Sequence, residues 1–320
     1  MIYTSFFVLF PIKNLITFRD KNQPKIKTTI NLFDESISDK KCIKSQNYPI
    51  QWTQCEALNS PQESVIIMTG DSQSRTLIPL ANEFLKKDNF DFISYSLSGT
   101  ISPAIPFTYR NRPVNYMFEK IERQKSYLKQ VTKYINEIGY RDKYLWIFND
   151  MNFYFYGREW QKDEVIFLDA NQKEIKSDIA FNIWLESLKE LIQKANEKNI
   201  KVVYFGSLPS IKIGYEVICA EESISYSENI NQFCIDNVIK RRSSIQGKYF
   251  GQNFENNILN LHKQHDNFIY IDTAKTFCKD LNRCEIYKKN KIYLMDNVHI
   301  SVEKAIDLYP LIKSKINSLK

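Results

Sequence analysis

The sequence predicts an α/β fold in which helices cover both faces of a five-stranded parallel sheet. The 320-residue chain contains 43% hydrophobic and 25% charged residues, which suits a globular domain with a sizeable core. Five short apolar runs alternate with segments of helical periodicity. Because strands that alternate with helices usually form a parallel sheet covered on both faces, this order predicts three layers, α/β/α.

The predicted elements follow the chain from residue 64 onwards. Strands are expected at 64–69, 92–96, 144–148, 202–205 and 268–271. Helices are expected at about 77–85, 115–138, 181–195 and 254–265, and from about 302 towards the end. The longest linkers, 97–114 and 207–253, are candidates for functional loops or insertions, because long loops in such domains usually have one of these roles.

Residues 1–58 are interpreted as an N-terminal extension or linker, and residues 59–320 as the folded domain. Residues 20–41 are polar, rich in lysine and without a clear period. Residues 2–9 are apolar, but the run is shorter than the roughly 20 residues that a membrane-spanning helix needs. It also lacks the basic start and the small-residue cleavage site of a signal peptide. The stub of a membrane anchor is one further interpretation of this run.

The formal net charge of +7 is spread along the chain and not gathered in one arm. Spread lysines indicate a solvated surface, with a weak attraction to anionic glycans or lipid head groups as the alternative. Nucleic-acid binding would require a clustered basic stripe or a known motif, and the sequence has neither. We therefore expect no nucleic-acid partner.

The six cysteines form three pairs that are local in sequence. These pairs are Cys42 and Cys55, Cys219 and Cys234, and Cys278 and Cys284. None has CxxC spacing, which argues against zinc and thioredoxin chemistry. Local disulfide pairing is the simplest prediction, because each pair spans a loop-like stretch, and it would imply an oxidising compartment. Six reduced thiols in a cytosolic protein are the alternative.

A candidate nucleophile follows the first strand. The segment 70–75, of sequence GDSQSR, leads directly into a helix, so Ser72 is expected at the carboxyl edge of a strand and at a helix N-terminus. The helix dipole and its free N–H groups favour negative charge there, which suits a serine whose attack creates an oxyanion. A helix cap is the alternative role for Ser72. The segment lacks the second glycine of a G-x-S-x-G elbow and the Gly-Lys pair of a P-loop.

A serine nucleophile needs a base, and the chain has three histidines. His262 and His265 are interpreted as an exposed helical pair, because no third metal ligand is evident, and we predict no metal. His299 follows Asp296 by three residues, so one turn of chain can bring the carboxylate to Nδ1 and leave Nε2 to take the proton of Ser72. An exposed turn with a chance Asp and His is the alternative.

Donors for an oxyanion are expected after the second and third strands. If the strand order is 2-1-3-4-5, the tips of the first three strands meet in the crevice where open α/β sheets bind ligands. The backbone N–H groups of Ser72 and Gly99 and the side-chain amide of Asn149 are candidate donors. Asn152 competes with Asn149 for this role, and an ordinary loop position remains the alternative for each.

These residues resemble the four sequence blocks of the SGNH hydrolase superfamily, in the right order, over roughly residues 64–320. More narrowly, the chain resembles the SGNH domain that is fused to acyltransferase-3 membrane proteins, which O-acylate cell-envelope glycans. GDSQSR is similar to that group's GDSHAR-like start, although Gln73 stands where the group often has His. DNVHIS at 296–301 is similar to its DxxHLS ending, and Cys278 and Cys284 precede that ending as a cysteine pair does there.

The resemblance implies a three-layer SGNH (flavodoxin-like) fold and an O-acyl, above all O-acetyl, esterase or transferase that acts on cell-envelope polysaccharide. An acyl-Ser72 intermediate would pass its acyl group to water or to a sugar hydroxyl. The resemblance implies no cofactor, a periplasmic or extracellular location at the envelope, and a membrane acyltransferase as a candidate partner. Two alternatives remain. A catalytically silent glycan-binding domain would separate Ser72 from His299 or fill the crevice. A soluble intracellular lipase-like esterase would have reduced cysteines and an apolar acyl groove.

Overall fold

A computed structural model gives the fold. It describes residues 41–45, 52–58, 63–109, 118–119, 121–129, 133, 139–156, 165–169, 171–208, 252–280, 283–284, 287–288, 291–294 and 299–318. Within these residues, the strands are β1 (Lys41–Ser45), β2 (Trp52–Ala57), β3 (Ser64–Gly70), β4 (Phe90–Leu97), β5 (Phe107–Tyr109), β6 (Asp142–Phe148), β7 (Val165–Leu168), β8 (Glu174–Ile175), β9 (Ile200–Phe205), β10 (Phe268–Ile271), β11 (Cys278–Asp280), β12 (Arg283–Cys284), β13 (Tyr287–Lys288) and β14 (Lys291–Ile292). The α-helices are α1 (Ser72–Arg75), α2 (Ile78–Asp88), α3 (Met151–Tyr156), α4 (Ser177–Glu197), α5 (Gln252–Gln264), α6 (Val302–Asp307) and α7 (Tyr309–Asn317).

A seven-stranded mixed sheet in the order β1-β2-β4-β3-β6-β9-β10 forms the central layer. The five strands β4, β3, β6, β9 and β10 pair in parallel. The strand β3 lies between β4 and β6, and all seven of its residues are buried. This position brings the carboxyl end of β3 next to the carboxyl ends of both neighbours, where ligands bind in open α/β sheets.

Helices cover the sheet on both faces, which confirms the predicted α/β fold. Alternate residues of β3 point to opposite sides, as the strand geometry requires. Ile66 and Met68 pack in a core with residues of α2, α6 and α7. Val65 and Ile67 pack in a second core with residues of α3, α4 and α5. Of the helix predicted at about 115–138, residues 118–119, 121–129 and 133 are described and are helical.

The sheet is larger than the five parallel strands that we predicted. The strands β1 and β2 pair with each other in antiparallel fashion, and β2 pairs antiparallel with β4. Both lie in the stretch that the sequence analysis assigned to the N-terminal extension. Their sequences, KCIKS and WTQCEA, mix polar and apolar residues without a regular period and lack an apolar run. The pair covers the edge of β4, which would otherwise expose unpaired backbone groups.

The strand registers bring four of the six cysteines opposite one another. Cys42 lies opposite Cys55 in the β1–β2 pair, and Cys278 lies opposite Cys284 in the β11–β12 pair. Cys55 and Cys278 are buried and disulfide-bonded, and no cysteine in the described part of the chain is free. The predicted pair Cys219 and Cys234 lies outside the described residues. Among the helices that the structure describes, none is both long and apolar enough to span a membrane.

Candidate active site

The fold brings Ser72 and His299 into hydrogen-bond contact. Ser72 is the first residue of α1, and its Oγ lies 2.8 Å from Nε2 of His299, although 227 positions separate the two in sequence. Both residues are half-buried, so the pair is accessible from solvent. A hydroxyl within this distance of an imidazole nitrogen has the geometry of a nucleophile and its general base. Asp296 lies outside the described residues, so its orienting role stays a prediction.

Gly70 lets the end of β3 pass close to the end of β6. Its φ of +143° is a conformation that residues with side chains rarely adopt. A Cβ at this position would lie 2.1 Å from the carbonyl oxygen of Phe148 and 3.2 Å from Oδ1 of Asn149. The glycine of the GDS segment is therefore required by sterics, because only a hydrogen fits between the two strand ends.

Asp71 fixes the start of the nucleophile helix. Its side chain is buried, and its carboxylate accepts hydrogen bonds from the backbone N–H of Gln73 at 2.8 Å and of Asp150 at 2.8 Å. The same carboxylate accepts a third bond from the hydroxyl of Tyr154 at 3.1 Å. Asp71 thus caps α1 and connects this helix to Asp150 and to Tyr154 of α3. Asp71 was not among the predicted site residues, although Asp directly before a helix is a common N-cap.

Tyr154 is held in its neutral, donating form. Burial raises the pKa of its hydroxyl well above the usual value, and the charge of the nearby Asp71 carboxylate raises this pKa further. A phenol with a raised pKa keeps its proton, so it can serve as a lasting donor to Asp71.

We expect Tyr154→Phe to lower the free energy of unfolding by about 1–3 kcal/mol, because the change removes a donor to a buried carboxylate. Urea unfolding of the wild type and the variant measures this difference. Tyr127→Phe is a matched control, because Tyr127 is also buried and its hydroxyl has no hydrogen-bond partner among the described residues. An equal loss in the two variants would contradict the assigned role of the Tyr154 hydroxyl.

Asn149 joins the end of β6 to the loop that carries Gly99. The Asn149 side chain is fully buried, and its Oδ1 accepts from the backbone N–H of Ser102 at 3.0 Å. Its Nδ2 donates to the carbonyl oxygen of Ser102 at 2.7 Å. Gly99, three residues earlier, is half-buried and has a φ of +66°, which favours glycine. Asn152 lies in α3, and its side chain is outside what the structure describes.

Backbone contacts join the two ends of the segment that carries His299, called the His299 loop below. Leu294 and Ile300 form an antiparallel bridge, and the backbone N–H of Ser301 donates to the carbonyl oxygen of Tyr293 at 3.0 Å. The hydroxyl of Ser301 then caps α6 by accepting from the backbone N–H of Lys304 at 3.1 Å. The ends of the loop are thus fixed both to each other and to the helix that follows His299.

The other two histidines, His262 and His265, lie at the end of α5 and in the turn that follows it. Nδ1 of His262 lies 2.7 Å from the carbonyl oxygen of Phe268, so the imidazole of α5 caps the start of β10. Both His262 and His265 are half-buried, so the predicted exposed pair is wrong. Across the described ranges, no cluster of His, Cys, Asp and Glu side chains is arranged to hold a metal ion.

Comparisons with solved structures found similar folds at low sequence identity. The periplasmic domain of a lipopolysaccharide acetyltransferase from Salmonella ser. Paratyphi A is 13% identical, with 80% of this chain and 85% of that chain covered and a TM-score of 0.44. A putative acylhydrolase from Bacteroides fragilis is 14% identical, with 82% and 90% covered and a TM-score of 0.40. The acetyl xylan esterase AlAXEase is 16% identical, with 79% and 99% covered and a TM-score of 0.36.

A comparison with curated proteins found no match to this chain. A family model described as "SGNH domain (fused to AT3 domains)" matches residues 41–314, a stretch that begins at β1 and ends within α7. The match includes the GDS segment, the loop with Gly99, the end of β6 and the segment that carries His299. The chain therefore belongs to the family of SGNH domains that are fused to AT3 domains.

Proposed function

We propose that this protein is a serine esterase or O-acyltransferase that works through an acyl-Ser72 intermediate. The observation that carries this proposal is the 2.8 Å contact between Oγ of Ser72 and Nε2 of His299. Membership of an SGNH family supports it independently, because the matched stretch, residues 41–314, includes both residues.

The reaction has two steps that share one base. Nε2 of His299 takes the Ser72 proton while Oγ attacks the acyl carbonyl, and the imidazolium then returns the proton to the leaving alcohol. Water or a sugar hydroxyl attacks the acyl-Ser72 ester next, and His299 accepts the proton of this second nucleophile. The proton returns to Ser72 as the new acid or ester leaves. Asp296 would hold Nδ1–H and stabilise the imidazolium.

The backbone N–H groups of Ser72 and Gly99 are the proposed oxyanion donors, together with the side chain of Asn149. The position of Ser72 at the start of α1 supports the first donor, because N–H groups in the first turn of a helix lack partners within the helix. The φ of +66° at Gly99 supports the second, because it lets the backbone approach without a side chain. Nδ2 of Asn149 has two hydrogens, and the bond to Ser102 occupies one of them. The other is the proposed contribution to the oxyanion.

The proposed substrate is an O-acyl, above all O-acetyl, carbohydrate of the cell envelope, with a membrane acyltransferase as the proposed partner. Fusion to AT3 domains in the family supports this pairing, because a membrane acyltransferase supplies the acyl groups that an acyl-serine intermediate would carry. The proposed location is the periplasmic or extracellular face of the envelope.

We propose that Cys42–Cys55 and Cys278–Cys284 are the disulfide pairs. The registers of β1–β2 and β11–β12, together with the bonded state of Cys55 and Cys278, support these pairs. Disulfides persist in oxidising compartments, which supports the proposed location and disfavours the intracellular lipase-like alternative. The contact between Ser72 and His299 disfavours the glycan-binding alternative, which expects the two residues to lie apart.

We expect the purified protein to release p-nitrophenol from p-nitrophenyl acetate and acetate from acetylated xylan. Adding an oligosaccharide acceptor separates the two activities. A transferase gives less free acetate per p-nitrophenol as the acceptor concentration rises, whereas an esterase keeps the ratio at one to one. Inactivity on both esters, without labelling by a fluorophosphonate, would favour the glycan-binding alternative.

A further inference from the structure

Lys304 is a buried lysine. It lies in α6 with 7% of its surface exposed, and its Nζ donates to the carbonyl oxygen of Thr276 at 2.5 Å. The ammonium also lies 4.6 Å from the centre of the Phe277 ring and 4.7 Å from the centre of the Tyr293 ring. Two aromatic rings and a carbonyl oxygen therefore surround the positive charge, an arrangement that is favourable when the cation is desolvated.

The contacts of Lys304 reach both sides of the loop that carries His299. Tyr293 stands directly before the bridge that opens this loop, and α6 starts directly after Ser301, which closes it. The ammonium on α6 thus holds the ring of Tyr293, while the backbone N–H of Ser301 holds the carbonyl oxygen of the same residue. These are two separate ties between the same two ends of the loop.

The ties also connect the loop to the rest of the molecule. Thr276 and Phe277 follow β10 and precede β11, and they belong to neither the His299 loop nor α6. By binding the Thr276 carbonyl oxygen and the Phe277 ring, Lys304 fixes the register of α6 against this third segment. An apolar side chain of the same length would fill the space without these directional contacts, because dispersion contacts do not specify a rotamer as a hydrogen bond does.

We propose that Lys304 is a positioning residue that holds the His299 imidazole at hydrogen-bond distance from Ser72. The catalytic consequence rests on the function proposed above, whereas the structural consequence does not. Displacing a catalytic group by about 1 Å can cost about a hundredfold in rate, so the loss of these ties lowers kcat and leaves KM largely unchanged.

Nuclear magnetic resonance of the histidine rings tests the structural consequence without any substrate. The chain contains three histidines, so protein grown with ¹³C-labelled histidine gives three ring signals, and His262 and His265 serve as internal references. In Lys304→Met we expect the His299 signal to move or broaden while the other two stay in place. Lys304→Arg keeps the charge and the donors, and we expect it to restore the His299 signal.

Lys313→Met is the matched control. Nζ of Lys313 also lies over a tyrosine ring, 5.4 Å from the ring centre of Tyr309. Lys313, however, is next to the starts of β3 and β4. Because β3 has seven residues, this end is roughly 20 Å from Ser72. We expect Lys313→Met to leave the His299 signal unchanged. With p-nitrophenyl acetate, we expect kcat to fall by at least about tenfold in Lys304→Met, with recovery in Lys304→Arg.

An unchanged His299 signal in a folded Lys304→Met protein would overturn the proposal. If all three signals collapse because this variant does not fold, Phe277→Leu decides instead, since it removes one ring and keeps the charge and the bond to Thr276. A shift confined to His299 in Phe277→Leu supports the proposal, and no shift overturns it. If the wild type proves inactive on esters, the proposed function fails, but the ring signals still decide whether Lys304 positions His299.

Discussion

Ser72→Ala is expected to lower the turnover of p-nitrophenyl acetate by about a million-fold, because loss of the nucleophile in a comparable serine enzyme has an effect of that size. In the proposed mechanism the oxygen of this hydroxyl forms the acyl-enzyme, so its removal leaves His299 without a nucleophile to activate. The change removes only the hydroxyl of a half-buried side chain, so we expect the variant to fold like the wild type. Steady-state and single-turnover kinetics of wild type and variant measure the loss.

Ser74→Ala tests whether the effect belongs to Ser72 alone. Ser74 lies two residues further along α1, and its hydroxyl contacts the carbonyl oxygen of Asp71 at 2.9 Å and Oγ of Ser96 at 2.7 Å. We expect Ser74→Ala to lose about 1 kcal/mol of stability and to keep most of its activity. Equal activity in Ser72→Ala and the wild type would show that another residue performs the chemistry.

His299→Ala is expected to have nearly the same effect as Ser72→Ala, a loss on the order of a million-fold in kcat. The reason is that Ser72 remains a weak nucleophile without a base to take its proton. Because the two residues act as a unit, the double variant should be no slower than either single variant. A double-mutant cycle on kcat measures this non-additivity.

His265→Ala is the control for the loss of an imidazole. His265 is half-buried and directly follows α5, a helix that packs in the core opposite the one containing α6. We expect it to retain wild-type kcat. If the losses of Ser72→Ala and His299→Ala multiply in the double variant, the two residues do not work on the same proton, and the proposed mechanism fails.

The part of the fold with strong local patterns could be predicted from the sequence. The apolar run of β3 and the strand at 268–271 are recognisable because buried parallel strands are nearly continuous in hydrophobic residues. Two candidate site residues could also be chosen from local sequence. Ser72 lies at a predicted strand-to-helix junction, and His299 is one of only three histidines that could serve as its base.

The parts that depend on distant partners could not be predicted. The strands β1 and β2 are stabilised by pairing with each other and with β4, and their short polar sequences carry no strong signal of it. Asn149 was a candidate site residue, but the bonds between its amide and the backbone of Ser102 could not be predicted, because 47 positions of sequence separate the two. The burial of Lys304 could not be predicted either, since lysine is ordinarily a surface residue and this burial depends on rings from two other segments.

The most direct test of the acyl-serine mechanism is the intact mass of the protein after reaction with a fluorophosphonate. We expect one adduct on the wild type, located at Ser72 by peptide mapping, and none on Ser72→Ala. We also expect His299→Ala to react far more slowly than His265→Ala, because the base activates the serine. A wild type that stays unmodified, or an adduct that persists in Ser72→Ala, would contradict the claim that Ser72 is the nucleophile.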